Sequence, residues 1–206
     1  ADLGNNTRPR GQFVSLLNRA RLLVRRAGMD FHHWPEDDPA FLGFRAFTSG
    51  DPDVVIDVGA NIGQTGRELR NFGFKGEIVS LEPLPDAFRV LAGVSAGDPL
   101  WSALNLALGS QKGELEINVA GNGGATSSFL PMTPQLSREA PQADYVRRTA
   151  VSVTTLDDLL AERCSTSRRI ALKIDVQGYE QRVLQGARDA LSSVCAIQME
   201  LSLVPL

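Results

Sequence analysis

The stretch Val54-Val55-Ile56-Asp57-Val58-Gly59-Ala60-Asn61-Ile62-Gly63 constrains the fold of this chain more than any other. Val54–Val58 is a short, β-branched apolar run, the signature of a strand buried on both faces. Gly59–Gly63 is a tight turn of small residues, and Gln64–Phe72 reads as a helix closed by Gly73. Small residues let a ligand approach the backbone closely, and the first free N–H groups of the helix point at the same place.

The same alternation recurs along the chain. Glu77–Glu82 reads as a second strand stopped by Pro83, Pro85–Leu91 as a helix, and Leu104–Leu108 as a third strand. After a less regular middle, Ala150–Val153 is a strand, Thr155–Arg163 a helix, Ile170–Val176 a strand, Tyr179–Leu191 a helix and Val194–Leu201 a strand. Glu114–Val119 is a further strand, and the Gly-, Ser- and Pro-rich Ala120–Tyr145 is a long loop. Strands alternating with helices predict an α/β fold, a mostly parallel sheet flanked by helices and joined by right-handed crossovers. Ahead of it, residues 12–27 read as an amphipathic helix ended by Gly28, Met29–Asp38 as an extended link, and Ala40–Phe47 as a short helix. The organisation expected is therefore an N-terminal helical arm and linker over residues 1–50, followed by a ligand-binding domain over 51–206.

Open parallel sheets bind ligands at the carboxyl ends of their strands. Two acids stand at such ends, Asp57 before the turn and Glu82 closing the second strand. Alone, Glu82 reads as a solvated acid. Coupled to the turn, it is placed to accept hydrogen bonds from both ribose hydroxyls of an adenosine cofactor. The turn reads Gly59-x-x-x-Gly63 and departs from the G-x-G-x-x-G of dinucleotide sites. An acid before the first glycine repels a pyrophosphate but suits a cationic ligand. S-adenosylmethionine carries an ammonium and a sulfonium, so the electrostatics favour it over NAD.

A net charge of −3 argues against general polyanion binding and hence against nucleic acid as a partner. One local exception is the arginine-rich start, with Arg8, Arg10, Arg19, Arg21, Arg25 and Arg26 against Asp2 alone. The simplest account of it is a solvated helix face. Cys164 and Cys195 show no metal-ligand or disulfide spacing, and Cys195, inside Val194–Ile197, reads as a small buried hydrophobe. No apolar run reaches the roughly 18 residues of a membrane span. The N-terminus lacks the apolar core of a secretory signal, so the expected compartment is the cytoplasm.

With these residues in place, the chain resembles the FkbM-type methyltransferases. The resemblance is carried by Val55–Gln64, by Ile78–Pro83 and by Leu172-Lys173-Ile174-Asp175-Val176-Gln177-Gly178-Tyr179-Glu180. Val153–Asp157 and the small-residue stretch Gly123–Ser128 add to it. It implies a Rossmann-like class I methyltransferase fold, with S-adenosylmethionine as cofactor and S-adenosylhomocysteine as product. It also implies O-methylation of a small hydroxylated acceptor such as a sugar or a polyketide-like natural product. By position, Asp57, Gly59, Ala60, Asn61, Gly63 and Gln64 would cradle the methionine part of the cofactor. Glu82, followed by Pro83, would hold the ribose, Ser110 and Gln111 would lie near the adenine, and Asp175 would sit by the transferring methyl group. The family fold normally continues past the fifth strand, whereas this sequence stops at Val204-Pro205-Leu206. The expectation is a C-terminally incomplete domain with an unpaired sheet edge, a route to homo-oligomers.

Methyl transfer from sulfonium to oxygen requires alignment and removal of the hydroxyl proton. Asp175, Glu180 and Glu200, near the ends of the last strands, are the candidate catalytic acids; converging, they would also offer oxygen ligands to Mg²⁺, although no metal site is otherwise indicated. His32 and His33 read as surface loop residues, Trp101 and Tyr179 as packing, and Gly121–Ser128 as an acceptor lid. Two other functions fit a fold of this class: an NAD-dependent oxidoreductase or epimerase, and a non-catalytic interaction module.

Overall fold

The computed structural model describes residues 38–133, 137–138, 140–163 and 168–200. The helix expected over 12–27, the His32–Trp34 link, Cys164 and the last six residues lie outside them. The chain divides into two compact units at Gly43/Phe44, and the sheets belong to the second.

Helix α1 spans Pro39–Phe47, and strand β1 is Val54–Val58, every residue of it buried. Helix α2 (Gln64–Asn71), strand β2 (Glu77–Leu81), helix α3 (Pro85–Ser95) and strand β3 (Trp101–Leu104) follow. Further on, helix α4 (Leu156–Arg163), strand β7 (Ile170–Ile174), helix α5 (Glu180–Gln185) and strand β8 (Val194–Met199) complete the alternation. The five strands form one sheet in the order β3-β2-β1-β7-β8, with every neighbouring pair parallel. This is the expected α/β architecture. Ile56, Val58, Leu81, Leu172 and Ile174 pack on one face with Leu156, Leu159 and Val183. Val55, Ile78 and Ala171 pack on the other with Leu69, Leu91 and Trp101. Burial on both faces is why the strands read as continuous apolar runs rather than alternating ones.

Three expectations need correction. The third strand of the sheet is Trp101–Leu104, not Leu104–Leu108. Asn105 donates its side-chain amide to the Glu82 and Pro83 carbonyls, both at 2.9 Å, and the chain leaves the sheet there. Ala107–Leu108 (β4) joins a second sheet instead, with β5 (Gly113–Ala120) and β6 (Tyr145–Thr154) in the order β4-β6-β5. That sheet covers α3 with Ile117, Val119, Val151 and Val153 against Leu84 and Ala87.

The helix expected over Tyr179–Leu191 stops at Gln185. Gly186 lies so close to the Gly109 carbonyl that a Cβ there would stand 2.1 Å from its oxygen. The Asp157 carboxylate then accepts the Asp189 and Ala190 amides and turns the chain into a short 3₁₀ segment, Ala190–Ser193. Finally, Cys195 is exposed rather than buried; among the described residues β8 is the outermost strand on its side of the five-stranded sheet. Among the described residues no helix is long and apolar enough to cross a membrane.

Candidate active site

The turn after β1 is held by the end of β2. The Gly59 and Ala60 amides donate to the Leu81 carbonyl at 3.0 and 2.9 Å. The Asn61 amide donates to Glu82 Oε2 at 2.9 Å, and the Leu84 amide to Glu82 Oε1 at 2.8 Å. Glu82 is thus fixed by both carboxylate oxygens and only 5% exposed. Burial raises its pKa above the usual carboxylate value, and the two amide hydrogen bonds oppose that shift. Two of the turn's glycines are dictated by geometry. Gly59 has φ +81°, and a Cβ on it would lie 2.0 Å from the Asp175 carbonyl oxygen. Gly63, at φ +85°, supplies the left-handed entry to α2.

A cavity of about 400 Å³ opens at the carboxyl ends of the parallel strands. Gly59, Ala60, Asn61, Gln64 and Thr65 form one wall, with Glu82, Pro83 and Leu84 beside them. Leu106, Ala107, Leu108 and Ile117 make an apolar wall. Gly124, Ala125, Ser127 and Phe129 come from the loop after β5, so the expected lid is a wall of this cavity. Lys173, Asp175 and Gln177 from the end of β7, and Glu200 from the end of β8, close the remaining side. Of the residues singled out in the sequence, Gly63, Ser110, Gln111, Glu180 and Asp57 do not line it.

Asp57 stands behind the turn, fully buried. Its place before the turn suits a cationic ligand in the sequence, but the cation it faces comes from the chain itself. Lys173 Nζ lies 3.7 Å from Asp57 Oδ1 and 3.3 Å from Asp175 Oδ2, on the strand in register with β1. The Ser80 hydroxyl donates to Asp57 Oδ2 at 3.5 Å and accepts the Trp101 indole N–H at 3.0 Å. Oδ1 has no hydrogen-bond partner and relies on the ion pair. Burial raises the Asp57 pKa, Lys173 opposes the shift, and the Asp175 charge adds to it. Lys173 was missed in the sequence, yet it left a signal. A lysine inside the buried run Ile170–Ile174 must find a counter-charge, as must an aspartate inside Val54–Val58.

The candidate catalytic acids separate in space. Asp175 accepts Lys173 on one oxygen and the Gln177 amide on the other, at 2.9 Å. The same Gln177 nitrogen lies 3.4 Å from Glu200 Oε2. The negative charge of Asp175, hydrogen bonding with it and partial burial raise the Glu200 pKa. Glu180 turns away, accepting the Gly178 amide at 3.0 Å. Among the described residues no group of three Asp, Glu, His or Cys side chains is placed to hold a metal ion.

Among curated proteins, the hexuronic acid methyltransferase AglP of Haloferax volcanii is 28% identical over 156 residues, 73% of this chain and 56% of AglP. The chain therefore spans about half the length of that relative. Among solved structures, the crystal structure of methyltransferase FkbM from Methylobacillus flagellatus KT is 17% identical, with a TM-score of 0.44. That match covers 69% of this chain and 30% of the other. Residues 57–205 match the family model described as the methyltransferase FkbM domain, and the chain belongs to that family.

Proposed function

We propose that this chain is the S-adenosylmethionine-binding part of a methyltransferase that moves a methyl group to a hydroxyl oxygen of a small, sugar-like acceptor. The observation that carries this reading is Glu82, an acid locked by two backbone amides on the cavity wall beside the glycine turn. An acid at this strand end suits a ribose diol and opposes a 2′-phosphate. The residues present fit the cofactor. The backbone of Gly59–Asn61 with Gln64 would hold its methionine part, Glu82 its ribose, and the apolar wall of Leu106, Ala107 and Ile117 its adenine. The apolar wall replaces Ser110 and Gln111 in that role because it lines the cavity and they do not. Asp57 acts from behind, through Lys173.

Bound there, S-adenosylmethionine supplies a methyl group on a positively charged sulfur, open to in-line attack by oxygen. The chain's part is to align the acceptor hydroxyl and take its proton. Asp175 and Glu200 line the cavity and are the groups available for the proton, whereas Glu180 serves its own turn. A sugar acceptor is supported by the name of AglP, a hexuronic acid methyltransferase.

Calorimetric titration with S-adenosylhomocysteine tests the reading, with NAD as control. Glu82→Gln keeps the shape of the side chain but not its charge, and should weaken binding about 10- to 100-fold through the lost charge-assisted hydrogen bonds. Binding of NAD in preference to S-adenosylhomocysteine would turn the reading to an oxidoreductase. Binding of neither by the folded chain would turn it to a non-catalytic module.

A further inference from the structure

Two carboxyl groups line one side of the cavity with a single amide nitrogen between them. Gln177 Nε2 lies 2.9 Å from Asp175 Oδ1 and 3.4 Å from Glu200 Oε2. Gln177 adopts φ +52°, a left-handed conformation that a non-glycine residue holds only when its surroundings enforce it. The enforcing contact comes from the loop after β5, where the buried Ser128 hydroxyl donates to the Gln177 carbonyl at 2.7 Å. The neighbouring rings of Phe129 and Tyr179, centroids 4.7 Å apart, fasten the same loop to the same turn. The loop after β5 therefore holds the backbone of the turn that carries Gln177.

The two acids are not equivalent. Asp175 has a donor on each oxygen, Lys173 at 3.3 Å and Gln177 at 2.9 Å. Glu200 is held by the longer Gln177 contact and by hydrogen bonding with Asp175 itself, and it stands more open at the cavity edge. The charged groups acting on Glu200 are Asp175 and Lys173, both from the β7 side. Two neighbouring carboxylates repel when both are ionised, so a proton arriving between them relieves that repulsion and the pair binds it more strongly than a lone carboxylate does. The proton settles on the member whose oxygens are less engaged.

We propose that Asp175 and Glu200 form one proton-accepting pair bridged by Gln177, in which Asp175 is the fixed member and Glu200 the member that takes the proton. This rests on the methyltransferase reading above for its chemical use. In that use, Glu200 receives the proton of the acceptor hydroxyl while the freed oxygen pair forms the new O–CH₃ bond. The C–S bond breaks with its electrons staying on sulfur, so charge and atoms balance. Lys173, Gln177 and Ser128 are positioning residues for the pair. The upward push on the Glu200 pKa by Asp175 agrees with the assignment.

The test is a carbon-13 NMR pH titration of the full chain labelled at the Asp and Glu carboxyl carbons. Glu200→Gln, a change at an exposed site, assigns the signal. Glu200 is expected to titrate above the ordinary carboxylate value, with a midpoint that depends on the Asp175 charge. Asp175→Asn should bring the Glu200 midpoint down by about one pH unit, and Ser128→Ala should alter it without touching either acid. With the signal assigned by Glu200→Gln, the wild-type titration decides the matter even if Asp175→Asn or Ser128→Ala fails to fold. A Glu200 signal with a single ordinary midpoint, indifferent to Asp175, overturns the pair. Titration with S-adenosylhomocysteine in parallel separates the two failures. Cofactor binding without coupling sinks the pair and leaves the methyltransferase reading standing, and coupling without cofactor binding removes the pair's assigned use.

Discussion

Lys173→Met should destabilise the chain by about 3–5 kcal/mol at neutral pH, the cost of stranding a buried charge. Against a total folding stability of roughly 5–15 kcal/mol, that is a large fraction. The cause is Asp57, fully buried, with Oδ1 facing no hydrogen-bond donor and only the Lys173 ammonium at 3.7 Å. The loss should depend on pH in a defined direction. Burial raises the Asp57 pKa above its ordinary 3.8, so the folded chain disfavours the ionised form. Below that ordinary value the carboxyl is protonated folded and unfolded, and no penalty exists. The wild type already carries part of this penalty. Without Lys173, which opposes the shift, the folded value rises further, so the deficit of the variant grows between the two folded values and is constant above the higher one.

Urea unfolding at pH 7.5 and pH 5 should therefore show a smaller deficit for Lys173→Met at the lower pH. Adding Asp57→Asn to Lys173→Met should restore most of the stability at pH 7.5, since no buried charge is then left alone. A double variant no more stable than the single one would show that Lys173 acts by packing instead.

Gly59→Ala is the second large effect. The residue sits at φ +81°, and its missing Cβ leaves room for the Asp175 carbonyl oxygen, which a methyl group would meet at 2.0 Å. Left-handed backbone costs an alanine about 1–2 kcal/mol. Forcing apart the ends of β1 and β7 adds about 1–3 kcal/mol of overpacking. A loss of roughly 3 kcal/mol corresponds to a Tm lower by about 6–12 °C in a domain of this size. The displaced segment carries Asp175 and its neighbour Val176, both on the cavity wall, so S-adenosylhomocysteine affinity should fall as well. Gly93→Ala is the matched control. It lies within α3 with nothing within 4 Å of a built Cβ, and should be neutral or stabilising by up to about 1 kcal/mol. Equal melting temperatures for the two variants would show that the β1 turn tolerates a side chain.

The alternation of strand and helix was legible because each element carries its own signal. Val54–Val58, Glu77–Leu81 and Ile170–Ile174 are short apolar runs bounded by turn residues, and the structure places all three inside the sheet. The errors fall where local pattern competes with contacts from elsewhere. Leu104–Leu108 looks like one strand, but Asn105 binds the end of β2 and divides it between two sheets. Tyr179–Leu191 looks like one helix, but the Gly109 backbone and the Asp157 side chain, both distant in sequence, end it early.

The site divides in the same way. The chain's own order of residues determined that a small-residue turn follows a buried strand, that Glu82 closes the next strand, and that Asp175 and Glu200 close two later ones. Those are properties of neighbouring residues, and strand ends in a parallel sheet share one edge. Only the tertiary structure decided that Asp57 looks inward at Lys173, that Gln177 spans Asp175 and Glu200, and that Leu106 and Ile117 wall the cavity in place of Ser110 and Gln111. Each of these depends on which strands lie side by side and in what register. Sheet order is set by the burial of whole faces, and no local stretch of sequence encodes it.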